Sequence, residues 1–296
     1  MRRPIAEMAA SPFRWRPANT GTAAIEALFR EREDFCAAAC SHFRAPARGD
    51  RLWALVDRRF RDAAPRALLL CHNRMLFPVL GESLSASGAE VPAPSFLGRL
   101  ANRISLHAIH GPAGDTAFLV TALDRIGMRV WDEFTYDLFN LDGPPAQAAR
   151  EAGPANLRVA RPGLEHLDEL YHLQAAYEKE EVLPRGAIFN AAACRLHLQR
   201  LLAEEYILAA WLDGAMAGKI NTNAETWKRR QIGGVYVSPA FRGRGIARRL
   251  TAEIAVEIAR GGKASTLFVK KRNAAARAAY TAAGFVKAGD YRICYY

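Results

Sequence analysis

From Leu157 to the C-terminus, apolar positions come in short blocks whose period switches between that of a strand and that of a helix. Leu157-Arg158-Val159-Ala160 reads as a short strand, and Leu164, Leu167, Leu170 and Leu173, three apart, as one face of a helix. Leu196, Leu198, Leu201 and Leu202 mark a second helix. Residues 206–212 form an unbroken apolar-rich run, and Asp213-Gly214 supplies the positive φ angles of a tight turn into a partner strand at 215–220. A strand at 231–237 stops at Ser238-Pro239. Beyond a glycine-bearing turn, Ile246, Leu250, Ile254 and Ile258 share a helix face that Gly261-Gly262 closes. A strand at 266–269, a helix between Asn273, a natural cap, and Gly284, and strand-like segments at 285–286 and 291–296 complete the order. This succession predicts an α/β fold, α+β in type, on a mixed sheet.

Upstream, Pro144-Pro145 and Gly153-Pro154 bracket an Ala-rich stretch with little periodicity. They predict a domain boundary at about residue 152, with an N-terminal α/β domain at 1–152 and a second domain at 153–296. An echo links the halves: a strand at 105–109, a helix at 115–126 and, after Gly127, strand-like segments at 129–131 and 134–139 repeat the order seen from Thr266 onward. Laying Gly127 on Gly284 puts Leu123 opposite Tyr280 and Thr116 opposite Asn273. His107 and His110 read as structural.

With 296 residues, 50% hydrophobic and 24% charged, the chain can bury its own core, and no run approaches the ~18 apolar residues of a membrane-spanning helix. Disordered, collagen-like and membrane-inserted classes are excluded. No apolar segment follows Met1-Arg2-Arg3-Pro4 as a secretory signal requires, so the cytoplasm is the expected address. Five scattered cysteines read as reduced thiols; Cys36 and Cys40, with His42 nearby, lack a second ligand pair, and no metal is expected. The net charge of +11 changes the picture more, because residues 219–296 alone hold 16 basic and 4 acidic side chains. An anionic partner is expected to dock there.

The turn Arg242-Gly243-Arg244-Gly245-Ile246-Ala247 is where chemistry enters. Two glycines allow close backbone approach, and the free N–H groups at the start of the next helix suit a phosphate or pyrophosphate. Arg248 and Arg249 add positive charge. Such turns also occur as plain loops, so the turn alone does not decide. This segment, preceded by its strand and Pro239, resembles the pyrophosphate-binding signature of the GNAT superfamily of N-acetyltransferases, and the later pattern Asn273, Tyr280, Gly284-Phe285 matches in register. The resemblance spans about 140 residues and looks closest to two-domain members with a Glu-Glu-Val segment, here Glu180-Glu181-Val182, and a front half of unassigned function.

Membership would imply an acetyltransferase whose cofactor is acetyl-CoA (coenzyme A). Its pantetheine arm would lie along Val235, Tyr236 and Val237, and its diphosphate on the amides from Gly243 to Ala247. Backbone donors of that strand would stabilise an oxyanion, and Tyr280 would return a proton to the leaving thiolate as general acid. Seven residues apart on a helix, Asn273 and Tyr280 face the same way and could reach one cofactor; the alternatives are that Asn273 only caps and Tyr280 only packs. For the general base, Gln231 stands where some members carry Glu, leaving Glu181 and Glu180 as substitutes, Glu225 third, and a water chain as a further route. The expected partners are acetyl-CoA and an unidentified amine acceptor, on a small molecule or a protein. A non-catalytic acyl-CoA-binding or sensing module is the competing reading. Nucleic-acid binding rests on charge alone, without a recognition helix or aromatic-interleaved basic strand. A homodimer stays open.

Overall fold

A computed structural model of the chain describes residues 11–60, 63–85 and 94–296. The first half runs through β1 (Phe13–Pro17), α1 (Ala23–Arg32), α2 (Ala37–Arg44), β2 (Arg51–Asp57), β3 (Ala67–His72) and β4 (Met75–Leu80). It continues with α3 (Glu82–Ser85), α4 (Pro94–Ile104), β5 (Ala108–Pro112), α5 (Ala113–Asp124), β6 (Asp132–Leu141) and α6 (Gln147–Arg150). The second half comprises β7 (Arg158–Ala160), α7 (Leu167–Tyr177), α8 (Ala191–Glu204), β8 (Ile207–Leu212), β9 (Ala215–Glu225) and β10 (Arg229–Val237). It ends with α9 (Ile246–Arg260), β11 (Ala264–Lys270), α10 (Ala274–Ala282) and β12 (Val286–Tyr295).

All of these strands join one mixed sheet, in the order β1-β2-β3-β4-β5-β12-β6-β11-β10-β9-β8-β7. Helices cover both faces, which is why β3 and β8 read as apolar runs rather than alternating ones. On α9 the periodic residues Ile246, Leu250, Ile254 and Ile258 are all buried. The β8–β9 turn has the expected left-handed pair, Asp213 at φ 52° and Gly214 at φ 82°. The segments predicted at 285–286 and 291–296 merge into β12, one strand with a register shift between Lys287 and Gly289, whereas the segment expected at 129–131 is not a strand: Trp131 donates its amide to the Tyr295 carbonyl and β6 starts only at Asp132. The strand expected at 105–109 starts at Ala108, because Ser105 takes φ 48° as the chain leaves α4. All five cysteines are buried and free.

The two halves repeat one topology and trade strands. Pairing along β1-β2-β3-β4 is antiparallel and β4–β5 is parallel; β7-β8-β9-β10 and β10–β11 follow the same directions. At the centre β12 pairs with β5, β6 pairs with β11, and β6 and β12 pair with each other, all antiparallel. Each half therefore ends inside the sheet arm of the other. The segment around residue 152 is packed rather than free: Ala149 and Ala152 are buried, and a Cβ at Gly245 would lie 3.0 Å from the Gly153 amide. Among the described residues, no helix is long and apolar enough to cross a membrane.

Candidate active site

A wedge opens between β10 and β11. The two strands pair only over Arg229–Ile232 and Ala264–Leu267, and beyond that both continue without partnering each other. On its other side β10 bulges: three steps from Gly233 to Tyr236 oppose two on β9, from Asn221 to Lys219. Gly234, at φ 59°, makes the bulge, and a side chain there would put its Cβ 1.9 Å from Asn221 Oδ1. A cavity of about 1730 Å³ fills the wedge, lined on one side by Val235, Tyr236 and Val237 and on the other by Leu267, Phe268, Val269 and Lys270.

At one end of the cavity lies the glycine turn. Gly243 and Gly245 both have φ 78°, which aims the chain into α9. None of the backbone amides from Gly243 through Arg248 has a hydrogen-bond partner among the described residues; the next, Arg249, donates to the Gly245 carbonyl. Arg242, Gly243, Gly245, Ile246, Ala247 and Arg248 line this end, and the buried Arg248 Nε also lacks a partner. Unpartnered donors at a helix N-terminus have the chemistry that suits an anion. Arg244 does not line the cavity; its guanidinium lies over the Phe241 ring.

Tyr280 and Asn273 both line this cavity. Tyr280 is buried in the core yet lines the cavity, and burial raises its hydroxyl pKa, helped by the proximity of Tyr177 and Glu181. A tyrosine so held stays protonated at neutral pH. Asn273 does two things: its Oδ1 caps α10 by accepting the Ala276 amide at 3.0 Å, and its Nδ2 donates to Glu181 Oε1 at 3.4 Å. Glu180 and Glu181 sit on a π-helical turn, Glu178–Val182, that sequence periodicity did not disclose. Glu180 accepts two hydrogen bonds from Arg242, at 2.8 and 3.0 Å, and one from the Tyr236 hydroxyl at 3.2 Å. These bonds, Arg242 first, hold the Glu180 carboxyl below its usual pKa. Glu181 faces Lys270 Nζ at 3.2 Å. Glu225 does not line the cavity; it pairs with Arg44, Arg230 and Lys263 and ties the halves together. Gln231 lines the cavity and donates to Asn223 Oδ1 at 2.9 Å.

Sequence reasoning missed Lys219. Its side chain is fully buried, and its ammonium donates to Asn221 Oδ1 at 2.9 Å and to the carbonyl of Gly234 at 2.8 Å. Burial pushes its pKa down to about 7, against the opposing pull of Glu178. The signal was a lysine in an apolar strand between Gly218 and Ile220. Also unforeseen was the share of the N-terminal half: Met75, Phe77, His42, Tyr136 and His110, expected to be structural, all line the same cavity. His42 stacks on His72, whose Nδ1 lies 2.8 Å from Asp50.

Residues 167–285 match the sequence profile described as the Acetyltransferase (GNAT) family. No curated protein matches the chain. Among solved structures, a GCN5-related N-acetyltransferase from Sphaerobacter thermophilus is 21% identical, with TM-score 0.60, covering 97% of this chain and 96% of that one. A Drosophila protein gives TM-score 0.61 at 14% identity, over 95% and 98% of the two chains. A tandem GNAT protein from the clavulanic acid biosynthesis pathway gives TM-score 0.54 at 14% identity, over 96% and 97%. The likeness in fold thus extends through the N-terminal half, and the segment that matches the GNAT acetyltransferase family, residues 167–285, contains the bulged strand, the glycine turn and the wedge.

Proposed function

We propose that the protein is an acetyl-CoA-dependent N-acetyltransferase that moves an acetyl group onto a primary amine, with its active site in the wedge between β10 and β11. One observation carries the reading: six unpartnered amides, Gly243 to Arg248, belong to a glycine turn that lines the same cavity as Tyr280. The residues fit coenzyme A. The free amides and Arg248 suit its diphosphate, the unpaired edge of Val235, Tyr236 and Val237 suits its amide-bearing arm, and Asn273 lies within the same cavity. Bound there, acetyl-CoA supplies an activated acetyl group.

The chain's own residues do the rest. A backbone N–H of the bulged strand donates to the acetyl oxygen as charge develops on it. Lys219 holds the bulge in shape through the Gly234 carbonyl. Tyr280, kept neutral by burial, gives its proton to the departing sulfur. Glu181, steadied by Lys270 and Asn273, accepts a proton from the amine, directly or through water. Glu180 orders the glycine turn through Arg242 rather than acting as base. The division at about residue 152 completes the proposal: 153–296 is the catalytic unit and 1–152 a degenerate GNAT-like repeat.

A second reading, a non-catalytic acyl-CoA-binding module, draws on Gln231 in place of a glutamate and on the Lys270 cation beside Glu181. Thiol release from acetyl-CoA in the presence of primary amines separates the two. Transfer is expected with at least one amine, and Tyr280→Phe is expected to lower turnover by roughly 10²-fold or more while coenzyme A affinity survives. Tight coenzyme A binding without transfer to any amine would favour the sensing module.

A further inference from the structure

The cavity is larger than the ~300–1,000 Å³ that usually serves one small ligand, and its lining residues fall into two groups, or lobes, of different chemistry. One follows β10 and the glycine turn. The other lies over the strands the halves exchange, walled by Met75 and Phe77 of β4, Tyr136 of β6, Phe268 of β11, and Tyr291 and Tyr295 of β12. The rings of this second lobe are fixed against one another. Phe268 stacks on Tyr291 with centroids 4.8 Å apart and planes 2° from parallel, and Tyr136 stands edge-on to Phe268 at 4.9 Å.

This lobe is electrically neutral. His42 and His110, which face it from α2 and β5, are both pushed down to about 4 by burial and so are uncharged at pH 7, while burial raises the tyrosine hydroxyls of Tyr136, Tyr291 and Tyr295. The carboxylates that line the cavity among the described residues, Glu178, Glu180 and Glu181, all belong to the π-helical turn at the border with the first lobe. At that border Lys270 pairs with Glu181 and lies over the Phe134 ring.

We infer that the acceptor is a primary amine carried on an uncharged aromatic body, an arylalkylamine, with its nitrogen beside Glu181 and Tyr280 and its ring among Phe77, Tyr136 and Tyr291. The inference rests on the transferase reading and adds the substrate class. Aromatic faces at fixed angles favour a ring, and a second charge on the acceptor would enter the neutral lobe without a counter-ion.

Free-thiol release by the full chain with acetyl-CoA tests this, using 2-phenylethylamine, tryptamine, phenylalanine, spermidine and a blocked lysine peptide as acceptors. We expect kcat/KM for the two arylalkylamines to exceed that for each of the others by at least about tenfold. Phe77→Leu should raise KM for tryptamine several-fold and leave that for acetyl-CoA unchanged. Equilibrium dialysis of tryptamine against the wild-type chain with coenzyme A present, expected to show binding, keeps the test independent of how that variant folds. Efficient transfer to spermidine, phenylalanine or the peptide, equal to that for the arylalkylamines, overturns the inference and leaves the transferase standing. Transfer to none of the five, with coenzyme A bound and no tryptamine retained, overturns both.

Discussion

The two sheet arms have the same strand order and direction, yet their wedges differ among the described residues. In the C-terminal arm β10 bulges at Gly234, the strands part, and the next helix starts with free amides. The N-terminal arm has no bulge: β3 and β4 pair in unbroken register, and Pro78, which has no N–H to offer, sits in the middle of β4. Its wedge is plugged. The buried Asp115 carboxylate, from the first turn of α5, accepts the Leu80 amide at 2.9 Å and faces Arg32 at 3.4 Å. Thr116, opposite Asn273 in the sequence echo, spends its hydroxyl on the Pro112 and Ala113 carbonyls of its own turn, and Leu123, opposite Tyr280, is buried core. Among the described residues, the arms differ in a handful of groups: the amides from Gly243 to Arg248 are unpaired in one, and the Leu80 amide is satisfied by Asp115 in the other.

The sharpest way to break the contrast is at the turn. Gly245→Val adds a Cβ at φ 78° and 3.0 Å from the Gly153 amide, so coenzyme A affinity should fall about 10²-fold or more by calorimetric titration. The wild-type chain should bind one coenzyme A; a stoichiometry of two would mean the N-terminal arm is open after all.

An effect of similar size tests the plug. Burial raises the Asp115 carboxyl from 3.8 to about 6, against the opposing pull of the Leu80 amide and Arg32. The folded state therefore holds this proton more tightly than the unfolded one. The stabilisation from that difference is fully present below pH 3.8 and lost as pH rises through about 6, a change of up to roughly 3 kcal/mol. Asp115→Asn should flatten the dependence of unfolding free energy on pH between 4 and 6, measured by urea denaturation. An unchanged slope would remove Asp115 from the account.

The smallest change is expected behind the bulge. Lys219→Met leaves the Gly234 carbonyl and Asn221 Oδ1 without their buried donor, at a cost of about 1–3 kcal/mol. With the bulge loosened, kcat should drop about tenfold while KM for acetyl-CoA changes little. A change in KM alone would mean that Lys219 supports cofactor docking and not the reacting end.

Most of the C-terminal fold was legible because its signals are local. Asp213-Gly214, Asn273, Gly261-Gly262 and the four-residue spacing on α9 each dictate backbone geometry from neighbouring residues. The glycine turn was legible for the same reason, whereas Tyr280 and Asn273 stand out only through the family resemblance, helical spacing adding no more than that they share a face. The π-helical turn was hidden, since its sequence Glu178–Val182 continues an ordinary helix and the extra residue is set by packing. The aromatic lobe was hidden too. Phe77, Tyr136 and Tyr291 lie far apart in sequence and meet only because β6 and β12 cross between arms, which no local period encodes.

That crossing bears on how such a chain can be cut, copied or inherited. A gene fragment ending near residue 152 would yield a polypeptide whose β5 edge has lost its neighbour and whose β6 has no β11 to lie against. Two such fragments would satisfy each other by strand exchange, so the covalent tandem is equivalent to a swapped dimer made permanent. Once joined in this way, the N-terminal arm cannot be shed without unmaking the β6 and β12 pairings that floor the wedge of the other arm.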